Sequence, residues 1–188
     1  MRQPDRAQSP DEIFDVVDAD DRVVGRATRA EVHARGLRHR AVHAWVFNAA
    51  GLLLLQKRSL QKDTAPGRWD SSCSGHLDAG EDYDAAVLRE LGEEIGFAPP
   101  RPPRLLFKVA ACPGTANEFT RVYRLEAEGP FRANPAEIAA LRWHAPDDIS
   151  RRLREEPEAF SKTFAHLWRL AAGAGGAEGR DGGREAEV

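Results

Sequence analysis

Cysteine is scarce in this chain of 188 residues: there are two, Cys73 and Cys112. Two thiols make no disulfide framework, which fits a cytoplasmic setting. Long hydrophobic runs are missing too. No apolar stretch approaches the ~20 residues that a bilayer-spanning helix needs, so no membrane association is expected. The opening MRQPDRAQSP lacks the apolar core of a secretory signal. Positive charge is not in excess. With a net charge of −3, general binding of nucleic acid duplexes has no electrostatic support. An anionic ligand would have to be met by local cations or by a metal. There is no internal repeat.

What is present suits a globular fold: 41% hydrophobic and 30% charged residues, on a chain long enough for one domain with a sizeable core. Residues 1–10 are polar, with two prolines, and read as a flexible N-terminus. Residues 11–172 read as a single domain, and the glycine-rich residues 173–188 as a disordered tail. Within the domain, EIFDVV (12–17) and residues 22–27 read as a hairpin, whose edge allows pairing with a second subunit in a homodimer. Thr28 and Glu31 form a capping box for a short helix that stops at Gly36. HRAVHAWVFN (39–48) has few polar positions, which predicts a strand buried on both faces. LLLLQKR returns over 52–58 and leads into a loop, 59–68. Residues 69–74 predict one short extended piece. Strands follow at 105–111, 118–126 and 138–144, then helices at 147–155 and 157–172, the last packing through Phe160, Phe164, Leu167, Trp168 and Leu170. Strands interrupted by one central helix and closed by C-terminal helices predict an α+β fold, layered α/β/α, with a sheet sandwiched between helices.

The most informative stretch is GHLDAGEDYDAAVLRELGEEIGF, Gly75–Phe97. On a helix, Glu90, Glu93 and Glu94 fall within an arc of about 100°. Val87, Leu88, Leu91 and Ile95 fall on another face, suited to packing on a core. Carboxylates this close repel by about 0.2–0.5 kcal/mol per exposed pair. A hard divalent cation, Mg²⁺ or Mn²⁺, removes that repulsion. The bland alternative is a solvated acidic face with Arg89 and Glu93 as an i,i+4 pair. Arg58, Lys62 and Arg68 precede the stretch and could meet phosphate oxygens.

Gly75, Glu81, Arg89-Glu90-Leu91, Glu93-Glu94 and Gly96-Phe97 stand at the spacing of the Nudix box, and the stretch resembles that box at every defined position. The resemblance implies a Nudix-like mixed sheet between helices, Mg²⁺ or Mn²⁺ as cofactor, and a small-molecule diphosphate as substrate. It implies that Glu90, Glu93, Glu94 and the Gly75 carbonyl hold the metal, and that Glu90 can also orient or deprotonate water. Arg89 would fix the carboxylates. Glu118 is a candidate catalytic base from a later strand, with an ordinary strand-edge glutamate as the alternative.

The segment HRAVHAWVFNAAGLLLLQKRSLQKDTAPGRWDSSCSGH further resembles the isopentenyl-diphosphate isomerase branch of the same superfamily. That resemblance implies diphosphate contacts at Arg58 and Lys62, and metal-binding histidines at or near His33, His39 and His76. Two departures stand out. The isomerases carry a cysteine directly before the Gly-His pair, where this chain has Ser74, and a second glutamate where it has Ala116. A serine hydroxyl is a far weaker acid than a thiol. Cys73, one residue earlier on an extended segment, should point to the opposite face. The sequence therefore points to a metal-dependent hydrolase of a nucleoside diphosphate derivative or similar diphosphate. An isomerase-like enzyme and a non-catalytic diphosphate-binding module are the alternatives.

Overall fold

The structure, a computed structural model, describes residues 8–175. The chain opens with a hairpin of β1 (Ile13–Val17) and β2 (Val23–Thr28) and a short helix α1 (Arg29–Arg35). Thr28 caps α1 in the expected capping box with Glu31, and Gly36 ends it in the left-handed conformation, φ 61°.

A seven-stranded mixed sheet follows. Its elements are β3 (His39–Phe47), β4 (Leu53–Arg58), β5 (Trp69–Asp70), β6 (Cys73–His76), β7 (Arg104–Val109), β8 (Glu118–Glu126) and β9 (Ile138–His144). Its backbone order is β5-β4-β3-β8-β7, with β6 added to β3 and β9 to β4. Helix α2 (Tyr83–Ile95) covers one side of the sheet, and α3 (Pro146–Glu155) and α4 (Lys162–Gly175) cover the other.

β3 and β4 show how the pattern dictates these layers. Val42, Ala44, Val46 and Leu54 pack with Val87, Leu91 and Ile95 of α2. Trp45, Phe47, Leu53 and Leu55 alternate with them and pack with Ile149, Phe164, Leu167 and Trp168 of α3 and α4. The expected α/β/α layering and the doubly buried β3 are therefore what the chain forms.

Three local expectations are corrected. Residues 69–74 are not one strand. β5 pairs with β4 and β6 with β3, and the chain crosses between them at Ser71 and Ser72. There the Ser72 side chain stands in for ladder bonds, its Oγ accepting from the backbone N–H of Val46 and donating to the Leu54 carbonyl, while the Trp45 indole N–H donates to Ser71 Oγ. The final helix begins at Lys162, not at 157. Pro157–Ala159 is a 3₁₀ turn. Phe160 is extended and bridges to Trp69, which buries its ring, and Ser161 Oγ accepts from the Phe164 N–H to start the helix. Leu88 is 39% exposed, not core. α2 buries Glu90 and Glu94 along with its apolar side, so the buried arc is centred between the two groups, and Leu88 lies about 110° from that centre.

At the ends of the chain, Gln8 Oε1 accepts from the Asp63 N–H, and the Pro10 carbonyl accepts from the Ala30 N–H. Residues 173–175 continue α4. The rest of the two terminal segments, 1–7 and 176–188, lies outside the described residues.

Candidate active site

The register of β3 builds the site. It runs parallel to β8 with His39 opposite Glu118, and antiparallel to β6 with Val42 opposite Gly75 and Ala41 opposite His76. Helix α2 is capped by the Asp82 side chain, which accepts from the Ala85 N–H, and ends at Gly96 with φ 60°. It lies over β6 so closely that a Cβ on Gly75 would fall 2.1 Å from Glu90 Cδ. Glycine here is a requirement of close approach.

Arg89 organises the carboxylates. Its Nε and Nη2 donate to the two oxygens of Glu81, both at 2.8 Å. Nη1 donates to Glu90 Oε1 at 2.6 Å and to Glu93 Oε2 at 3.1 Å, and Nη2 also donates to the His76 carbonyl. Glu94 Oε2 accepts from the Ser74 N–H and from Gln56 Nε2, each at 3.0 Å. Its other oxygen lies 3.7 Å from Lys62 Nζ. Lys62 also pairs closely with Glu137. Burial pushes Glu90 up to about 7, against the pull of Arg89, and raises Glu94 and Glu137, against the pull of Lys62.

Glu90, Glu93, Glu94, Lys62 and Glu137 border a cavity of about 670 Å³ that also receives Arg58, Arg68, Ser74, His76 and Glu118. Arg58 and Lys62 thus reach the cavity, as does Arg68. Each has an internal partner: Arg58 donates to Thr64 and to Asp70 Oδ2, and Arg68 to the Glu158 carbonyl.

A second cluster adjoins the first through His76. His33, from the last turn of α1, His39 and His76 bring one ring nitrogen each within 4.8 Å of one another. It is the one such compact group of three or more His, Cys, Asp or Glu among the described residues. Arg29, buried and held by Asp63, lies with Nη1 2.9 Å from His76 Nδ1. A guanidinium only donates, so Nδ1 accepts. The hydrogen is then on Nε2, which donates to Glu118 Oε1 at 2.9 Å. His39 has the reverse tautomer. Its Nδ1–H donates to the Leu37 carbonyl, leaving a buried Nε2 lone pair without a hydrogen-bond partner among the described residues. Burial drives His39 down to about 4 and also lowers His33 and His76, while it raises Glu118.

Two arrangements bear on the departures noted in the sequence. Ser74 lines the cavity, whereas Cys73 is fully buried in the core on the α2 side. Ala116 lines the cavity with φ 54° and brings no acid.

Two donor sets could hold a cation. One is the oxygen set of Glu90, Glu93, Glu94 and Glu137. The buried Gln56 Oε1, beside Glu94, has no hydrogen-bond partner among the described residues, and a hard cation suits such a set. The other is the histidine set with Glu118, in which His39 offers an open lone pair but both nitrogens of His76 are engaged. Gln56, Glu137, Arg29 and Asp63 are the participants that sequence reasoning missed. Gln56 was hidden in an apolar strand, and Glu137 lies outside any motif, brought in by the Ser59 N–H donating to its carbonyl.

Comparison with known proteins bears on the class. A NUDIX domain family model matches residues 37–167. The chain belongs to the Nudix superfamily. An uncharacterized Nudix hydrolase of Streptomyces coelicolor is 38% identical over 176 residues, covering 89% of this chain and 95% of that one. An isopentenyl-diphosphate Delta-isomerase of Burkholderia multivorans is also 38% identical, over 152 residues, covering 79% of this chain and 86% of that one. Among solved structures, DR0079 of Deinococcus radiodurans superposes with a TM-score of 0.76 at 30% identity, covering 85% of this chain and 98% of that one. The chain is a Nudix-type enzyme with the α+β fold of that superfamily.

Proposed function

We propose that this enzyme is a Mg²⁺- or Mn²⁺-dependent hydrolase of the diphosphate linkage in a nucleoside diphosphate derivative or a similar small diphosphate. One observation carries the reading: the complete carboxylate set of α2 is held at the cavity, with Glu90 seated on Gly75 and Glu94 buried beside Gln56 and Lys62. Glu90, Glu93, Glu94 and the Gly75 carbonyl would hold the cation, with Glu137 alongside. When bound, the cation neutralises diphosphate charge and acidifies water.

The chain's own residues do the rest. Arg89 holds Glu90 and Glu93 in place. Glu90, beside Arg89 at the cavity, can orient or deprotonate water. Arg58 and Lys62 meet phosphate oxygens that the cation leaves uncovered. Glu118, tied to His76, is the candidate base on the β8 side. The test is a panel of diphosphates with Mg²⁺ and Mn²⁺, reading which fragment is released. Turnover unchanged in both Glu90→Gln and Glu94→Gln would sink the metal assignment.

A second reading, an isomerase-like enzyme, is favoured by the histidine set and its open His39 lone pair. Ser74 at the cavity, Cys73 in the core and Ala116 in place of an acid weigh against it. Interconversion of isopentenyl and dimethylallyl diphosphate, lost in Ser74→Ala, would establish it. Ligand-induced thermal stabilisation without turnover of any diphosphate would instead mark a binding module.

A further inference from the structure

The chain has four lysines, Lys57, Lys62, Lys108 and Lys162. Three are exposed, and Lys62 is buried. A buried ammonium is rare and needs close opposite charge. Lys62 Nζ has two carboxylates from separate elements: Glu94 of α2, 3.7 Å away, and Glu137 before β9, in closer contact. Both acids border the cavity. A single positive charge therefore already stands between two of the oxygens best placed for a divalent cation.

We infer that Lys62 is a built-in counter-ion that competes with the divalent cation for Glu94 and Glu137 and must leave them when the cation binds. The inference rests on the metal reading proposed above. Two unlike ligands cannot share Glu94 cheaply. A divalent ion on that carboxylate would lie within a few ångströms of the ammonium, where repulsion between like charges is strong in a partly dry site.

Lys62 is built to move in a way that its neighbours are not. It sits in the 59–68 loop on a flexible four-carbon stem with three rotatable donors. Its backbone N–H makes one contact, with the Ser59 carbonyl at 3.3 Å. Arg89, by contrast, is forked onto Glu81, Glu90, Glu93 and the His76 carbonyl, and Arg58 is tied to Thr64 and Asp70. Displacing Lys62 loosens one side chain, whereas displacing either arginine would dismantle a network.

The test is Mn²⁺ binding to the full chain, followed by electron paramagnetic resonance of the free ion, for the wild type, Lys62→Gln and Lys62→Arg. Removing the competing charge should tighten Mn²⁺ binding about tenfold in Lys62→Gln, while Lys62→Arg, which keeps the charge, shows no gain. Equal affinity in the wild type and Lys62→Gln overturns the exchange but leaves the metal reading standing. No Mn²⁺ binding by either protein overturns both.

Amine acylation of the wild type, read by peptide mass spectrometry, decides the point without any variant. Saturating Mg²⁺ should raise labelling of Lys62 several-fold relative to Lys57, Lys108 and Lys162, because a released ammonium is more accessible. Unchanged relative labelling means that Lys62 stays on its carboxylates, and the inference fails.

Discussion

Gly75 and His76 are neighbours on β6, yet they belong to clusters of opposite character. Above Gly75, carboxylates are held by the protein's own cations: buried Glu90 by Arg89, and buried Glu94 and half-buried Glu137 by Lys62. Around His76, which is half-buried, the imidazoles range from exposed His33 to buried His39; desolvation disfavours the charged form of all three, and Arg29 adds to the pressure on His76. The first cluster is a place for positive charge, already occupied in part by side chains. The second offers nitrogen lone pairs, one of them open at His39. The contrast separates the two readings of the enzyme. A hydrolase depends on the oxygen cluster, and an isomerase-like enzyme on the nitrogen cluster.

The largest effect expected is on catalysis. Glu94→Gln should lower Mg²⁺-dependent hydrolysis about 10²- to 10³-fold, the scale of losing one electrostatic group at the reacting phosphate. His76→Gln should stay within about tenfold of the wild type. Steady-state release of product from the best substrate of the panel measures both. An equal loss in the two variants would erase the distinction between the clusters.

Stability against pH tests the same contrast in the absence of metal. His39 falls from 6.5 in the unfolded chain to about 4 when folded. Its contribution is present above 6.5 and is lost as the pH falls towards 4. Glu90 rises from 4.5 to about 7, so its contribution is present below 4.5 and is lost as the pH rises towards 7. Between pH 4.5 and 6.5 the two oppose each other, each with a slope of at most about 1.4 kcal/mol per pH unit, or about 3 kcal/mol across its whole range. In chelator, Glu90→Gln should gain stability as the pH rises through this window, relative to the wild type. His39→Gln should lose it. Urea unfolding at three pH values measures the slopes. Parallel slopes would mean that the clusters are not differently charged.

Two glycines of the Gly75–Phe97 stretch sharpen the geometric side. Gly75→Ala places a methyl group in the Glu90 carboxylate and should cost about 1–3 kcal/mol, as overpacking does, with loss of turnover. Gly92 is exposed on the same helix, and a methyl group there would meet nothing within 4 Å. Gly92→Ala should stabilise by about 0.5–1 kcal/mol through helix propensity. Thermal unfolding of both variants checks the signs.

These glycines also mark how far the sequence could be read. The strands, α2 and its carboxylates were legible, because periodicity and the spacing of Gly75, Arg89, Glu90 and Glu94 are local. The capping box at Thr28 was legible for the same reason. The crossing at Ser71 and Ser72 was not, because its hydroxyls act on strands far away in the chain. Glu137 and Gln56 were equally hidden. One depends on the register of β4 with β9, and the other looks like a stray polar residue in LLLLQKR until α2 places Glu94 beside it. Leu88 misled because the helix buries two acids, which no apolar pattern announces.

The smallest effect tests whether the histidine cluster is an incomplete metal site. Ala116 borders the cavity two residues before Glu118 and already has a positive φ, so Ala116→Glu adds an acid without demanding a new backbone conformation of a different kind. If the oxygen cluster alone serves hydrolysis, turnover should change by less than about threefold, because a carboxylate that holds no reacting group contributes only through distant charge. Mn²⁺ stoichiometry is the more sensitive measurement. An acid that completes the histidine set should add a second bound equivalent. An unchanged stoichiometry would show that the Arg29–His76–Glu118 chain, with both His76 nitrogens engaged, closes that cluster to metal whatever acid is provided.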